Sequence, residues 1–395
     1  MPTNVWLLMV CGAIAMCGAP MMVFVGGIVG AGLAPQASLA TLPLAMMVVG
    51  TATVIVPVTL LMQRFGRKII LISGALTGGL ASLGLAFSLH AGSFWGFVSA
   101  AFLLGANLAV VQQYRFAAME SVPVVQAGHA AARVLLGGLV AAIVGPELAV
   151  RFKSAGGAEF VGSFIALASL YAVVAALLCC YRMVPAAKAG GENRQGRPWG
   201  ELLRLPALWA AIVSAAVGYA MMSFIMTATP VSMHLHFGHS LEDTKWVIQS
   251  HILAMFIPSF FSGALIARWG VFRLLIAGVV AYLVSMMVAS SGQGVVQFWL
   301  ALIFLGIGWN FLFVGGTALL PSVYRHQEQY RVQALNEFCV FGVQATAALS
   351  SGWVAHRFGW DAIVWGCLPL LVFHIGVILL WQRDQSQTKC ESPSA

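Results

Sequence analysis

The sequence predicts an all-α membrane protein of two pseudo-symmetric six-helix bundles around a central cavity, and three observations lead there. Hydrophobic residues make up 60% of the 395-residue chain and charged residues only 8%, a balance outside that of soluble globular proteins. Polar breaks cut the chain into apolar stretches of membrane-spanning length. The two halves also carry matching residues at a fixed offset.

A helix crossing about 30 Å of hydrocarbon takes roughly 20 mostly apolar residues, because backbone N–H and C=O groups find no water there. The breaks set the first six spans at 5–33, 41–63, 69–90, 94–117, 128–150 and 160–183. The second six fall at 206–230, 245–267, 271–291, 297–321, 332–356 and 360–382. No basic residue precedes the first span, which is longer than a signal-peptide core, so it is expected to be retained. The polar interval with Pro185, Lys188, Gly190, Gly191, Glu192, Arg194, Arg197 and Pro198 reads as a linker. The expected division is an N-terminal bundle 1–183, a cytoplasmic linker 184–205, a C-terminal bundle 206–383 and a cytoplasmic tail 384–395.

Cytoplasmic loops retain an excess of Lys and Arg. With both termini inside, only Arg151, Lys153, Lys245 and Arg357 of the 20 basic residues fall outside, which supports an even number of spans. Arg64, Gly66, Phe94 and Trp95 recur as Arg268, Gly270, Phe298 and Trp299, each 204 residues later, and Arg151-Phe152 is nearly matched by Arg357-Phe358. Duplicated parallel halves imply a cavity at their interface that opens alternately to either side.

The loop Gln63-Arg64-Phe65-Gly66-Arg67-Lys68 resembles the signature loop of the major facilitator superfamily, with Thr59 in place of its leading Gly and Gln63 in place of its Asp. The repeat copy Gly263 to Gly270 keeps the leading Gly and again lacks the acid. Leu104-Gly105 resembles the family's fourth-helix motif, with Ala101 where its Arg is usual, and Gly145-Pro146-Glu147-Leu148 resembles the start of its fifth-helix antiporter motif. The stretch from Gly218 through Met226, Thr227, Ala228, Thr229 and Pro230 to His251 and Pro258 is similar to bacterial permeases of that superfamily. The resemblance implies secondary transport of a small organic solute by alternating access, in a bacterial inner membrane. Arg64, Gly66, Arg67 and Lys68 would form the gating loop.

A charge inside the membrane is costly unless paired or hydrated, so ionisable residues within spans are candidate sites. None of the first 119 residues is acidic. Glu337 in the eleventh span is a candidate proton or cation site, or else a partner of Arg331 at the inner boundary. Arg133 could attract an anionic solute or pair with Glu120, and Glu147 is placed to pair with Arg151 one turn on. An imidazole inside a span can titrate near neutral pH, so His251 is a second candidate for coupling to protons. Solute contact is expected of Asn107, Gln112, Gln113, Arg133, Tyr219, Thr227, His251 and Asn310. For each uncharged polar residue, an interhelical hydrogen bond is the alternative role. Trp309 and Phe313 would supply an apolar wall, or simply pack.

His234, His236 and His239 read as a solvated outer loop with Glu242 and Asp243, so no metal is expected, and no cofactor. The cysteines lie mostly in apolar stretches as packing residues. Scattered basic residues argue against a nucleic-acid partner despite the net charge of +8. Gly78-Gly79, Gly137-Gly138 and Gly315-Gly316 follow no strand and lack a Gly-Lys-Ser/Thr element, which argues against ATP-driven transport. A membrane-embedded enzyme would need a dense intramembrane catalytic cluster that the sequence lacks. The remaining alternative is a solute sensor or receptor on a transporter scaffold. The expected partners are therefore a small solute, the lipid bilayer and protons.

Overall fold

With no water to satisfy it in hydrocarbon, the chain closes its backbone bonds within helices. A computed structural model shows the result for residues 2–123, 130, 133–134, 136–182 and 196–391, all of it helices and short connections without a strand. The helices of the first half are α1 Thr3–Leu33, α2 Leu42–Phe65, α3 Arg67–His90, α4 Phe94–Glu120, α5 Gly137–Arg151 and α6 Val161–Cys179. In the second half they are α7 Pro206–Val231, α8 in two segments, Leu241–Phe256 and Ser259–Trp269, α9 Val271–Ser290, α10 Val295–Leu319, α11 Gln329–Phe358 and α12 Trp360–Gln387. Among the described residues ten helices are long and apolar enough to cross a membrane, and the bent pair in α8 makes an eleventh. The start of the fifth predicted span and most of the predicted linker lie outside the described residues.

Three spans depart from the even helices that hydropathy alone describes. In α1 the helix breaks at Met16 and Cys17, because Pro20 has no N–H to return to the Met16 carbonyl. Pro258 does the same to Ala254 in α8, and the two segments meet at 41°. The α4 helix loosens at Gln112 and Gln113 before resuming at Tyr114. The α8 helix also begins earlier than its hydropathy indicates. Ser240 accepts from the Asp243 N–H at 3.0 Å and donates to the Asp243 carboxylate at 2.6 Å, a side-chain N-cap that sets Glu242 and Asp243 in the first helical turn.

The duplication visible in the sequence is also one of backbone geometry. Gly66 stands between α2 and α3 at φ 83°, and Gly270 between the second segment of α8 and α9 at φ 79°. Each ends its helix by donating its N–H back four residues, to the Met62 carbonyl at 3.0 Å and the Ile266 carbonyl at 2.8 Å. Any side chain there is strained.

The chain divides into two compact units. The first holds α1 to α6 with Thr227–Leu253 and Ala348–Arg357, and the second holds the rest of α7 up to Met226, Ala254–Ala347 and the chain from Phe358 onward. Within the first unit α2 and α4 approach backbone to backbone. A Cβ at Gly105 would lie 2.0 Å from the Met47 carbonyl oxygen, and one at Gly50 would lie 2.2 Å from that of Phe102. The Tyr171 ring fills the space beside Gly78 and its hydroxyl donates to the Ala15 carbonyl at 2.9 Å. Leu76, Leu80, Leu83 and Phe87 form an exposed apolar stripe along α3, as expected of a face against lipid tails. In the second unit α9 and α10 pack at Gly278 and Gly308, and Tyr282 donates to the Gly218 carbonyl of α7 at 2.7 Å.

A side chain at Gly105 must push α4 off α2. Gly105→Ala is expected to lower the melting temperature of the purified protein, at a cost of about 1–3 kcal/mol. Gly376→Ala, with nothing within 4 Å of the new methyl, is expected to leave it unchanged.

Candidate functional site

In the second unit α7, α8, α10 and α11 contribute rings to one aromatic nest. Trp309 stacks on Phe313 one turn later, with centroids 5.0 Å apart and planes 15° from parallel. Tyr219 stands edge-on to both, at 5.1 Å from Trp309 and 5.3 Å from Phe313. Phe341 reaches Tyr219 at 5.8 Å and Phe256 reaches Trp309 at 6.3 Å. Ala215, Ala216 and Val340 are buried together, with Tyr219 and Phe313 packed against them. Trp309 is 4% exposed, whereas Tyr219, Phe313 and Phe341 are half-buried. Glu337, also half-buried, lies one turn before Phe341 and therefore on the same side of α11.

Next to Trp309, Asn310 is fully buried and its amide is taken up by the broken helix. Its Nδ2 donates to the Met255 carbonyl at 2.7 Å and to the Ser259 hydroxyl at 2.6 Å, and its Oδ1 accepts from Ser262 at 2.8 Å. Asn107 plays a related part in the first unit, donating from α4 to the Gly74 carbonyl of α3 at 2.7 Å. Both asparagines end a Gly-x-Asn triplet, Gly105-Ala106-Asn107 and Gly308-Trp309-Asn310. That recurrence was present in the sequence as a sign of paired structural roles.

The loop between α2 and α3 is tied to two neighbouring helix ends. Arg67 grips the Glu120 carboxylate with two nitrogens, and Lys68 donates to the Cys179 carbonyl at 2.6 Å. Arg64 lies over the Phe65 ring. Glu120 is thus engaged by Arg67, while Arg133 lies over the Trp6 ring at 5.1 Å. Elsewhere in the first unit, Lys245 of α8 is buried between Glu147 of α5 at 2.9 Å and Glu242 at 2.6 Å, and Gln249 donates to the Ile143 carbonyl at 2.9 Å. His251 is fully buried one to two turns beyond Lys245, and Thr227 and Gln113 are buried as well. Gln112 is half-buried in the α4 turn. A cavity of about 140 Å³ opens beside Thr41, Val231, His236, Gly352 and His356. Among the described residues no group of three His, Cys, Asp or Glu side chains is placed to hold a metal.

The sequence profile of the Major Facilitator Superfamily matches residues 6–244 and 213–394. The chain belongs to that superfamily. This superfamily member is 36% identical over 379 residues to the riboflavin transporter RfnT of Brucella anthropi, covering 95% of each chain. It is 29% identical to the uncharacterized MFS-type transporter YddS of Bacillus subtilis, over 92% of this chain and 87% of the relative. Its fold matches that of a bacterial homologue of the human lysosomal transporter Spinster, solved in an inward-facing, occupied conformation, with TM-score 0.71, 13% identity and 96% of both chains covered. The protein is accordingly a multi-pass membrane transporter, and not an enzyme.

One tie in this major facilitator protein was not singled out from the sequence. Glu328, fully buried in the turn before α11, accepts from the Arg197 backbone N–H at 2.7 Å, from the Arg197 guanidinium at 2.7 and 3.0 Å, and from the Arg325 N–H at 2.9 Å. Arg331 donates to the Arg197 carbonyl and lies over the Trp199 ring, so its guanidinium is engaged there. The only signal in the sequence was an acid among Arg325, Arg331 and a linker arginine. The Arg197 hydrogen bonds, with those from the two backbone N–H groups, pull the Glu328 carboxyl from 4.5 to about 2.

A carboxyl whose pKa falls on folding stabilises the folded state above its ordinary value and loses that contribution as pH falls towards the folded one. Glu328→Gln is expected to lower the melting temperature at neutral pH by about 5 °C or more, as when one partner of a buried pair is removed. The gap to the unsubstituted protein should close as pH is lowered from 4.5 towards about 2, as read by thermal unfolding in detergent.

Proposed function

We propose that this protein carries riboflavin, or a closely related flat heteroaromatic solute, across the membrane by alternating access. The observation that carries the reading is the 36% identity to a riboflavin transporter across 95% of both chains. In the proposed cycle the bundles 1–183 and 206–383, joined by the 184–205 linker, rock about a solute held among their facing helices. The setting is a bacterial inner membrane with both termini cytoplasmic.

Energy comes from the proton gradient in this scheme. Glu337 is the proposed proton carrier, because it is a half-buried acid on the same side of α11 as Phe341, so its charge state changes the field at the aromatic nest. His251, fully buried in α8, is the second proposed titrating group. Asn107, Gln112, Gln113, Arg133, Tyr219, Thr227 and Asn310 remain the proposed polar and aromatic surround of the solute path. For Asn107 and Asn310, the hydrogen bonds described above favour holding that path in shape over touching the solute.

Counterflow in proteoliposomes tests the transport claim in either direction. Vesicles preloaded with unlabelled riboflavin should accumulate labelled riboflavin, and absence of accumulation by a folded, reconstituted protein would refute it. With a pH gradient imposed, Glu337→Gln is expected to abolish gradient-driven accumulation while sparing counterflow. An unchanged response to the gradient in that variant removes Glu337 from the coupling role, and an unchanged pH profile in His251→Gln removes His251.

A further inference from the structure

We infer that the aromatic nest of the second unit is the subsite for the solute's planar ring, and that the Trp309 indole N–H donates to a ring carbonyl. The inference rests on the proposed riboflavin-class substrate and deepens it, by naming which end of such a molecule this half of the protein recognises.

Two independent observations meet at the nest. The first is geometric. Tyr219, Phe313 and Phe341 converge from three helices on the face of α10 that carries Trp309, and these three rings are half-buried. Aromatic side chains offer a flat π-system both stacked and edge-to-face partners, and here both orientations are already present, at 15° and at 84° to 89°. The second is a hydrogen-bond deficit. Trp309 is 4% exposed, yet its Nε1 finds no acceptor among the described residues. Buried polar groups are nearly always paired, and a donor left over among rings is matched by a ligand that brings its own acceptor.

Those two features select a chemistry. A sugar or polyol would bring more hydroxyls than the few polar groups of the nest could pair, and an aliphatic chain would leave the indole N–H unmet. A flat heteroaromatic with carbonyl oxygens on its rim satisfies both, and the isoalloxazine ring of riboflavin has two such carbonyls. Tyr219, edge-on to Trp309 and Phe313, is the ring that must swing for the solute to reach the indole edge. The ribityl chain then extends away from the nest to polar groups elsewhere.

The test uses the full-length protein in detergent, with binding read by quenching of flavin fluorescence. Riboflavin and lumichrome, which has the carbonyl-bearing tricycle and no ribityl chain, are titrated against the protein, Trp309→Phe and Trp365→Phe. Phenylalanine keeps a stacking face and removes the donor together with part of the indole's area. Trp309→Phe is expected to weaken both ligands by about tenfold, the effect of losing one hydrogen bond, whereas exposed Trp365 can be replaced without effect. Phe341→Leu, which removes stacking area at the rim of the nest, should weaken both ligands as well and serves if Trp309→Phe does not fold. Unaltered riboflavin binding in both nest variants overturns the subsite while leaving the substrate reading intact. Weakened riboflavin with unchanged lumichrome assigns the donor to the ribityl chain and overturns the ring contact. A folded, unsubstituted protein that takes neither ligand overturns the substrate reading, and this inference falls with it.

Discussion

A backbone carbonyl inside hydrocarbon has no water to accept from, so each place where a helix bends must be supplied with a donor by some other part of the chain. The internal arrangement of this protein follows from that requirement. Where Pro258 interrupts α8, Asn310 donates to the Met255 carbonyl, and Ser259 and Ser262 close the rest of its amide. Thr51 donates to the Gly105 carbonyl, Tyr282 to that of Gly218 and Tyr171 to that of Ala15. Most of the buried polar side chains whose hydrogen bonds are described thus serve the backbone first. At the α8 elbow and beside the α1 break the supplying side chain, Asn310 or Tyr171, lies on a neighbouring span.

Charge obeys the same economy at the helix ends. The ion pairs of Arg67 with Glu120 and of Arg197 with Glu328 sit at loops and helix termini, and the fully buried Glu328 carboxylate also accepts from the backbone N–H groups of Arg197 and Arg325. The loop of the first half lacks the acid usual at position 63, and Glu120 at the end of α4 supplies the carboxylate that Arg67 would otherwise miss. Each of these pairs ties a loop to an element distant in sequence. The connections between spans are therefore part of the packed structure.

Much of this was legible in the sequence, because lipid imposes a simple code. Span length and the loops around Gly66 and Gly270 each follow from a local rule, and the structure has helices and turns at those places. The partners of polar residues followed no local rule. Asn310 is as polar facing a solute as facing Met255, and only the break at Pro258, 52 residues earlier in the chain, decides between them. Glu328 was passed over because an acid beside arginines in a loop looks the same whether solvated or buried. The start of α8 was misplaced for the opposite reason. Its signal, Ser240 followed by Asp243, was local, but a cluster of histidines beside it read as loop.

Trp309 and Asn310 are consecutive, so their side chains leave α10 about 100° apart, one among the rings and the other into the elbow of α8. A single residue inserted upstream in α10 would rotate both at once, bringing an indole to the elbow and carrying the amide away from it. Neither neighbour could accept the exchange. The rotational setting of α10 is therefore fixed by two unrelated demands at adjacent positions, and sequence drift in this helix is confined to substitutions that preserve its phase.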